Sequence, residues 1–347
     1  MKKLLLSKLR CVDCSHTQFN SVIDASDGDN IFEGTLDCGY CGRIYTISKG
    51  IVVLLPKTIM DGRKEFDGRK NGKHFHGNST ELKLNEIDYY DVNISPSADE
   101  EQDVFYGTGW SLRRCQRHTD MYNYYLNSIR SDIEPVISGK TLLNVGCGCG
   151  QESEFFSRIC KADVIGLDIA QGSVEAAVKR SKNFNYSFLF DGVVGDMENL
   201  PFQDNSIDVC ITHTSLHHAT NAFKVIDEMA RVSKDSFIIS SESIDSLSIK
   251  VALLLGFTET HEEHESGNEV FRITKKEFKE RLNKMGFSDP LIKTHWLNGS
   301  MKVRWGTIWG RSIRPVTSYL ESEFLLRLQN KVLGRIGNSI FIRVKLQ

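Results

Sequence analysis

Four cysteines stand in two C-x-x-C pairs, Cys11-Val12-Asp13-Cys14 and Cys38-Gly39-Tyr40-Cys41, separated by 23 residues. Each pair offers two thiolates from one tight turn. Four soft ligands complete the tetrahedron of a structural zinc ion and leave no position for a reacting water. A redox dithiol would need one pair, so the second pair favours Zn2+ held by Cys11, Cys14, Cys38 and Cys41. Different chemistry sits further along. Leu142-Leu143-Asn144-Val145 is an apolar, strand-like run that breaks into Gly146-Cys147-Gly148-Cys149-Gly150, and a later apolar run ends at Asp168, 22 residues past Gly146. Glycines let the backbone take positive φ and let a ligand lie against it, and a carboxylate at the tip of the next strand can accept both hydroxyls of a ribose. A dinucleotide fingerprint requires glycine at position 151, where Gln151 stands, which weakens a pyrophosphate reading. Finally, Thr212-His213-Thr214-Ser215-Leu216-His217-His218 gathers three histidines, side chains able to exchange a proton near neutral pH.

These groups need elements to hold them, and the pattern supplies an alternation. Thr141 to Asn144, Asp163 to Asp168, Phe188 to Val194, Ser206 to Thr212 and Ser236 to Ser240 read as strands. Glu152 to Cys160, Ser173 to Lys182 and Ala222 to Val232 read as helices between them. Thr274 is placed to cap a helix from Lys275 to Met285, stopped by Gly286, and Asp289 to Lys293 and Ser339 to Val344 supply two further strands. Strand-helix alternation predicts an α/β fold with a parallel sheet covered on both faces, which binds its ligand beyond the carboxyl ends of the strands. Gly146, Asp168, Asp196 and His213 all fall at such ends.

The glycine loop, Val164-Ile165-Gly166-Leu167-Asp168-Ile169, Gly195-Asp196-Met197-Glu198-Asn199-Leu200-Pro201-Phe202 and Ser206-Ile207-Asp208-Val209-Cys210-Ile211 follow in an order and spacing that resembles the class I S-adenosylmethionine-dependent methyltransferases, of the methyltransferase type 11 kind. The resemblance covers residues 139 to 293. It implies a Rossmann-like seven-stranded sheet with an antiparallel last strand, S-adenosyl-L-methionine as cofactor, and methyl transfer as the reaction. By position it implies that the main chain of Gly146, Cys147, Gly148 and Gly150 lies against the methionine portion, that Asp168 binds the ribose, and that Asp196, with Met197 beside it, meets the adenine amino group. Asn144, Ile169 and His213 are counted with the cofactor-binding residues. Asn144 stands where the family often carries an acid, and Val232-Ser233-Lys234-Asp235 replaces its usual Lys-Pro-Gly-Gly turn. Methyl transfer is an in-line displacement that requires no nucleophilic residue, but an oxygen acceptor must lose a proton. His217 is the candidate base.

Residues 9 to 56 resemble the zinc ribbon found fused to, or partnered with, many methyltransferases, acting on ribosomal RNA in some cases and on small molecules in others. The expected organisation is therefore a zinc ribbon over 1–56, a polar linker over 57–104 and a catalytic domain over 105–347, with lid insertions at 242–272 and 295–338. The linker is basic and glycine-containing at first, then has seven acidic residues and no Lys or Arg from Glu86 to Asp103. A helical pattern from Gly107 to Ser138 precedes the first strand. Between Lys302 and Lys345 nine basic residues meet two acidic ones, interleaved with Trp305 and Trp309, a helical insertion suited to stacking bases or to closing a pocket.

A net charge of −2 over 347 residues argues against a general polyanion binder. No segment is apolar enough for a signal peptide or a membrane span, and nine cysteines, four in ligand spacing, agree with a reducing, cytoplasmic setting. The leading expectation is methylation of a small-molecule biosynthetic intermediate at oxygen or nitrogen. RNA base methylation is the alternative, and a non-catalytic cofactor-binding scaffold comes third. The sequence fixes no oligomeric state.

Overall fold

The computed structural model describes residues 1–66, 79–94, 126–246, 250, 272–295 and 339–346. After a short helix α1 (Lys3–Leu6), strands β1 (Phe19–Asp27), β2 (Asn30–Cys38), β3 (Ile44–Ser48) and β4 (Ile51–Leu54) form an antiparallel meander. Helices α2 (Lys57–Phe66) and α3 (Ser79–Ile94) follow, then a helix α4 over 126–137. The alternating half comprises β5 (Thr141–Val145), α5 (Gln151–Arg158), β6 (Asp163–Asp168), α6 (Gln171–Asn183), β7 (Phe190–Gly195), β8 (Ile207–His213), α7 (Ala222–Val232) and β9 (Ser233–Ser243). It closes with α8 (Lys275–Lys284), β10 (Leu291–His295) and β11 (Ser339–Lys345).

Among the described residues eleven strands make one sheet in the order β1-β2-β3-β4-β7-β6-β5-β8-β9-β11-β10. Strands β5 to β11 are the seven expected of the Rossmann-like sheet, with β11 antiparallel to β9. The meander is continuous with them, because β4 runs parallel to β7 with Val52 opposite Val193 and Leu54 opposite Gly195. The meander and the alternating half therefore share a core. One cluster of buried apolar side chains holds Leu9, Leu36 and Tyr45 together with Val145, Leu167 and Val193.

The predicted strands and helices of the alternating half recur with ends shifted by a few residues. Strand β9 is longer than the expected Ser236 to Ser240. Its helix α7 runs straight into it, and β11 pairs along it from Lys345 opposite Ser236 to Ser339 opposite Ser243. Thr274 caps α8 in a capping box with Glu277. The stretch expected as a polar linker holds α2 and α3. Leu84 and Ile87, one turn apart on α3, are buried with Ile59, Ile51, Val174 and Val194, and burial of such side chains is worth about 2 kcal/mol each. Nearly all of both expected lid insertions, with Trp305 and Trp309, lies outside the described residues.

Candidate active site

Parallel pairing lines up Val145 with Leu167 and with Thr212, and His213 with Ser240, so the predicted site residues meet along one edge of the sheet. At the end of β5 the loop turns on three glycines with positive φ, Gly146 (71°), Gly148 (49°) and Gly150 (81°). The backbone N–H groups of Gly146 and Cys147 both donate to the Leu167 carbonyl, at 2.8 and 2.9 Å. A Cβ at Gly146 would lie 2.5 Å from Ser215 Oγ, and one at Gly150 would lie 2.9 Å from Ala177 Cβ, so those two glycines are demanded by packing. A Cβ at Gly148 would meet no atom of the described residues within 4 Å. The half-buried main chain at Gly148 is a cradle that a side chain would fill, as contact with a ligand requires. Beneath the loop, buried Asn144 donates to Ser153 Oγ at 2.9 Å, while its Oδ1 has no hydrogen-bond partner among the described residues. A donor group on a bound ligand would satisfy that oxygen. Burial pushes the Cys147 thiol well above its usual range and that of Cys149 up to about 11, so neither loop cysteine is a thiolate nucleophile at neutral pH.

Asp168 ends β6, with Ile169 next to it. Its carboxylate accepts the Gly148 N–H at 2.9 Å and the Ala170 N–H at 3.0 Å, which joins the glycine loop to the second strand. Burial raises its carboxyl to about 6, with nearby Asp91 adding to the rise against those two N–H groups. Asp196 follows β7, buried, with half-buried Met197 beside it. One Asp196 oxygen accepts the Glu198 N–H at 2.9 Å, and the other lies 2.7 Å from Lys83 Nζ.

Lys83 belongs to α3 and was not foreseen, nor was the role of that helix. It pairs with both Asp196 and Glu198, the latter at 3.1 Å. Burial works to raise the Glu198 carboxyl, but Lys83 and hydrogen bonds from Thr220 and the Asn221 N–H hold it below the ordinary carboxylate range. The same helix reaches the loops after β6 and β8. Asp91 accepts the Gly172 N–H at the start of α6 at 2.7 Å, Ser79 hydrogen-bonds Thr220 at 2.8 Å, and Glu86 lies 3.4 Å from His218. Leu84 and Ile87 at helical spacing were the legible signal for it.

The histidines divide by environment. His213 is buried at the end of β8 with Nδ1 3.1 Å from Ser240 Oγ, and burial lowers its pKa to about 3, so it is neutral at physiological pH. Burial likewise lowers His218. His217, in the turn Leu216–His218, places Nδ1 2.6 Å from Glu242 Oε1. Glu242, buried on β9, also accepts the backbone N–H groups of Leu216 and His217, each at 3.1 Å. Glu242 was not among the expected site residues, since it stands 25 residues from His217 and beyond the predicted strand end.

At the ribbon the four cysteine sulfurs lie within 4.8 Å of one another, the one group of at least three potential metal ligands among the described residues. Cys11 and Cys41 approach to 3.6 Å and Cys14 and Cys38 to 3.5 Å. Thiolates on a tetrahedral zinc are separated by roughly 3.8 Å, given Zn–S bonds of about 2.3 Å, so the donor set fits this metal.

Residues 143–239 match the family described as a methyltransferase domain. The chain is 33% identical over 102 residues to a biotin biosynthesis bifunctional protein of Teredinibacter turnerae, covering 28% of this chain and 18% of that protein. It is 28% identical over 102 residues to the malonyl-[acyl-carrier protein] O-methyltransferase of Yersinia pestis, covering 29% and 36% of the two chains. The chain thus matches well under half the length of these curated relatives. Among solved structures it is similar to magnesium protoporphyrin IX methyltransferase of Synechocystis, with a TM-score of 0.47 and 16% identity over 76% of this chain and 98% of that one. Among the described residues no helix is long and apolar enough to cross a membrane.

Proposed function

We propose, for a chain whose residues 143–239 form a class I S-adenosylmethionine-dependent methyltransferase domain, that it transfers a methyl group to oxygen or nitrogen of a small-molecule intermediate. The observation that carries the reading is the convergence of the open Gly148 backbone, Asp168 and Asp196 on one edge of the parallel sheet. Bound S-adenosyl-L-methionine supplies an electrophilic methyl group on a sulfonium. Asn144 and the main chain from Gly146 to Gly150 hold its amino-acid portion, Asp168 and Ile169 its ribose, Asp196 and Met197 its adenine, and His213 lines the shell as a neutral side chain. These residues act by orientation, and near-attack positioning alone can supply much of the acceleration.

His217 takes the acceptor's proton. With Nδ1–H donating to the Glu242 carboxylate, Nε2 becomes the ring's basic nitrogen, and the carboxylate stabilises the imidazolium formed once the proton arrives. The four cysteines hold a structural Zn2+ that closes the ribbon.

The test is a transfer assay with methyl-labelled S-adenosylmethionine, offering a small-molecule cell extract and total cellular RNA in parallel. Label should enter the small-molecule fraction. Label in RNA, with a complex that survives near-physiological salt, would overturn the acceptor assignment, and calorimetry showing no cofactor binding would overturn the enzymatic reading.

A further inference from the structure

The segment between Asp196 and Phe202 carries the carboxylate assigned to adenine, and its outer side is fastened to the first cysteine pair. Asn199 Nδ2 donates to the carbonyl of Val12, between Cys11 and Cys14, at 2.9 Å. Arg10, next to Cys11, makes three further bonds to the same segment. Its backbone N–H donates to the Pro201 carbonyl at 3.0 Å, Nε donates to the Leu200 carbonyl at 3.2 Å, and Nη2 reaches Asn199 Oδ1 at 3.4 Å. Leu9 forms an antiparallel bridge with Phe202, and the Gln203 N–H donates to the Lys8 carbonyl at 2.8 Å. Glu228 of α7 closes the junction, since one of its oxygens accepts both Arg10 Nη2 at 3.0 Å and the Leu200 N–H at 2.8 Å. The Asn199 N–H in turn donates to the Asp196 carbonyl at 3.0 Å, so a displacement of Asn199 reaches Asp196 through one bond.

We propose that Arg10 and Asn199 are positioning residues that couple the four-cysteine metal site to the cofactor site, so that zinc occupancy sets the affinity for S-adenosylmethionine. The inference rests on the zinc and cofactor assignments made above. The physical route is short. Metal bonds tie the turn Cys11–Cys14 to the turn Cys38–Cys41, which fixes the direction of the Val12 carbonyl and the side chain of Arg10. Without those bonds the first turn gains conformations in which Asn199 and the carbonyls of Leu200 and Pro201 lose their partners. The segment then spends less time with Asp196 in place, and apparent affinity falls by the fraction of competent conformers. Coupling of this kind is reciprocal, so bound cofactor must tighten the metal site by the same factor.

The experiment uses the full chain and S-adenosylhomocysteine as probe. Zinc content is measured by elemental analysis, affinity by calorimetry, and zinc release by transfer to a colorimetric chelator with and without the probe. The as-purified protein should hold one zinc per chain, and stripping it should weaken binding by about fivefold or more, the lower end of ordinary allosteric coupling. The probe should slow zinc release. Asn199→Ala should keep its zinc and its fold, weaken binding several-fold, and show a smaller further loss on stripping than the wild type, because the route is already cut. An unchanged affinity after zinc loss, or equal losses on stripping in the wild type and Asn199→Ala, would overturn the coupling while leaving the methyltransferase reading intact. Absence of zinc from the purified protein would overturn the metal assignment and the coupling with it. Failure of the zinc-loaded protein to bind the probe would overturn the cofactor reading instead.

Discussion

His217 Nδ1 lies 2.6 Å from Glu242 Oε1, and that oxygen also accepts the His217 backbone N–H at 3.1 Å, so one buried carboxylate fixes both the ring and the turn that carries it. Glu242→Gln keeps the shape and removes the charge proposed to stabilise the His217 imidazolium. The expected result is a turnover number about tenfold to a hundredfold lower with unchanged cofactor affinity, while His217→Ala falls by about a hundredfold or more. Steady-state kinetics beside calorimetry separates the two quantities. A Glu242→Gln enzyme with normal turnover would show that the pair serves structure alone.

The glycine loop makes a paired prediction. Gly148→Val enters open space but forces a β-branched residue to φ near 49°, so the fold should survive with a melting temperature a few degrees lower while cofactor binding is lost. Gly146→Ala drives a methyl to within 2.6 Å of the Ser215 side chain, which itself bonds the Val145 carbonyl, so it should destabilise the protein more than Gly148→Val does. Thermal melts with and without S-adenosylhomocysteine check both.

Asp168 predicts a pH dependence of binding. In the proposed cofactor site its ionised form would accept the ribose hydroxyls, and its carboxyl titrates near 6 because it is buried. Cofactor affinity should be flat above about pH 7 and fall by up to about tenfold per unit below pH 6, and Asp168→Asn should bind weakly without that dependence. Stability of the ligand-free protein runs in the opposite sense. The folded state holds this proton more tightly than the unfolded chain, whose carboxyl titrates near 3.8, so this contribution is lost as pH rises from about 4 to 6. Calorimetry and melts across pH 5 to 8 separate the two effects.

Lys83→Met should destabilise the protein by about 3 to 5 kcal/mol, because it leaves the Asp196 and Glu198 carboxylates buried without their cation. Lys83 holds Glu198 below the ordinary carboxylate range, so its removal raises the Glu198 carboxyl, and the loss should shrink as pH falls toward 5. Denaturant melts of both proteins at pH 5 and 7.5 give the comparison. A loss independent of pH would assign Lys83 a packing role only.

Features set by neighbours in sequence were legible. The run Asp163–Asp168 and the helix Ala222–Val232 carry their periodicity locally, Thr274 announces its cap three residues from Glu277, and the cysteine pairs bring two ligands each to a turn. What could not be read depends on pairing across the chain. The residues from Glu86 to Asp103 look solvated because of their charge, yet Asp91 finds the α6 N-terminus and Glu86 finds His218 once Leu84 and Ile87 are buried. Glu242 falls within a strand whose length is set by β11, a hundred residues later in the chain. The parallel seam between β4 and β7 joins residues about 140 apart, with no local signature beyond two apolar runs.

That seam also decides where the sheet is vulnerable. Strand β7, Phe190–Gly195, is buried throughout and contains Val193-Val194, so as an outer strand it would present an apolar row of unpaired backbone groups to any other chain. With β4 laid along it, the boundary on that side moves to β1, which is almost wholly exposed, carries Asp24 and Asp27, and has its register broken between Ile23 and Ala25. Charge and a bulge make a poor template for strand addition. The ribbon thus exchanges an adhesive boundary for one that resists intermolecular pairing, and a chain shortened to begin after Leu54 should aggregate where the intact protein stays dispersed.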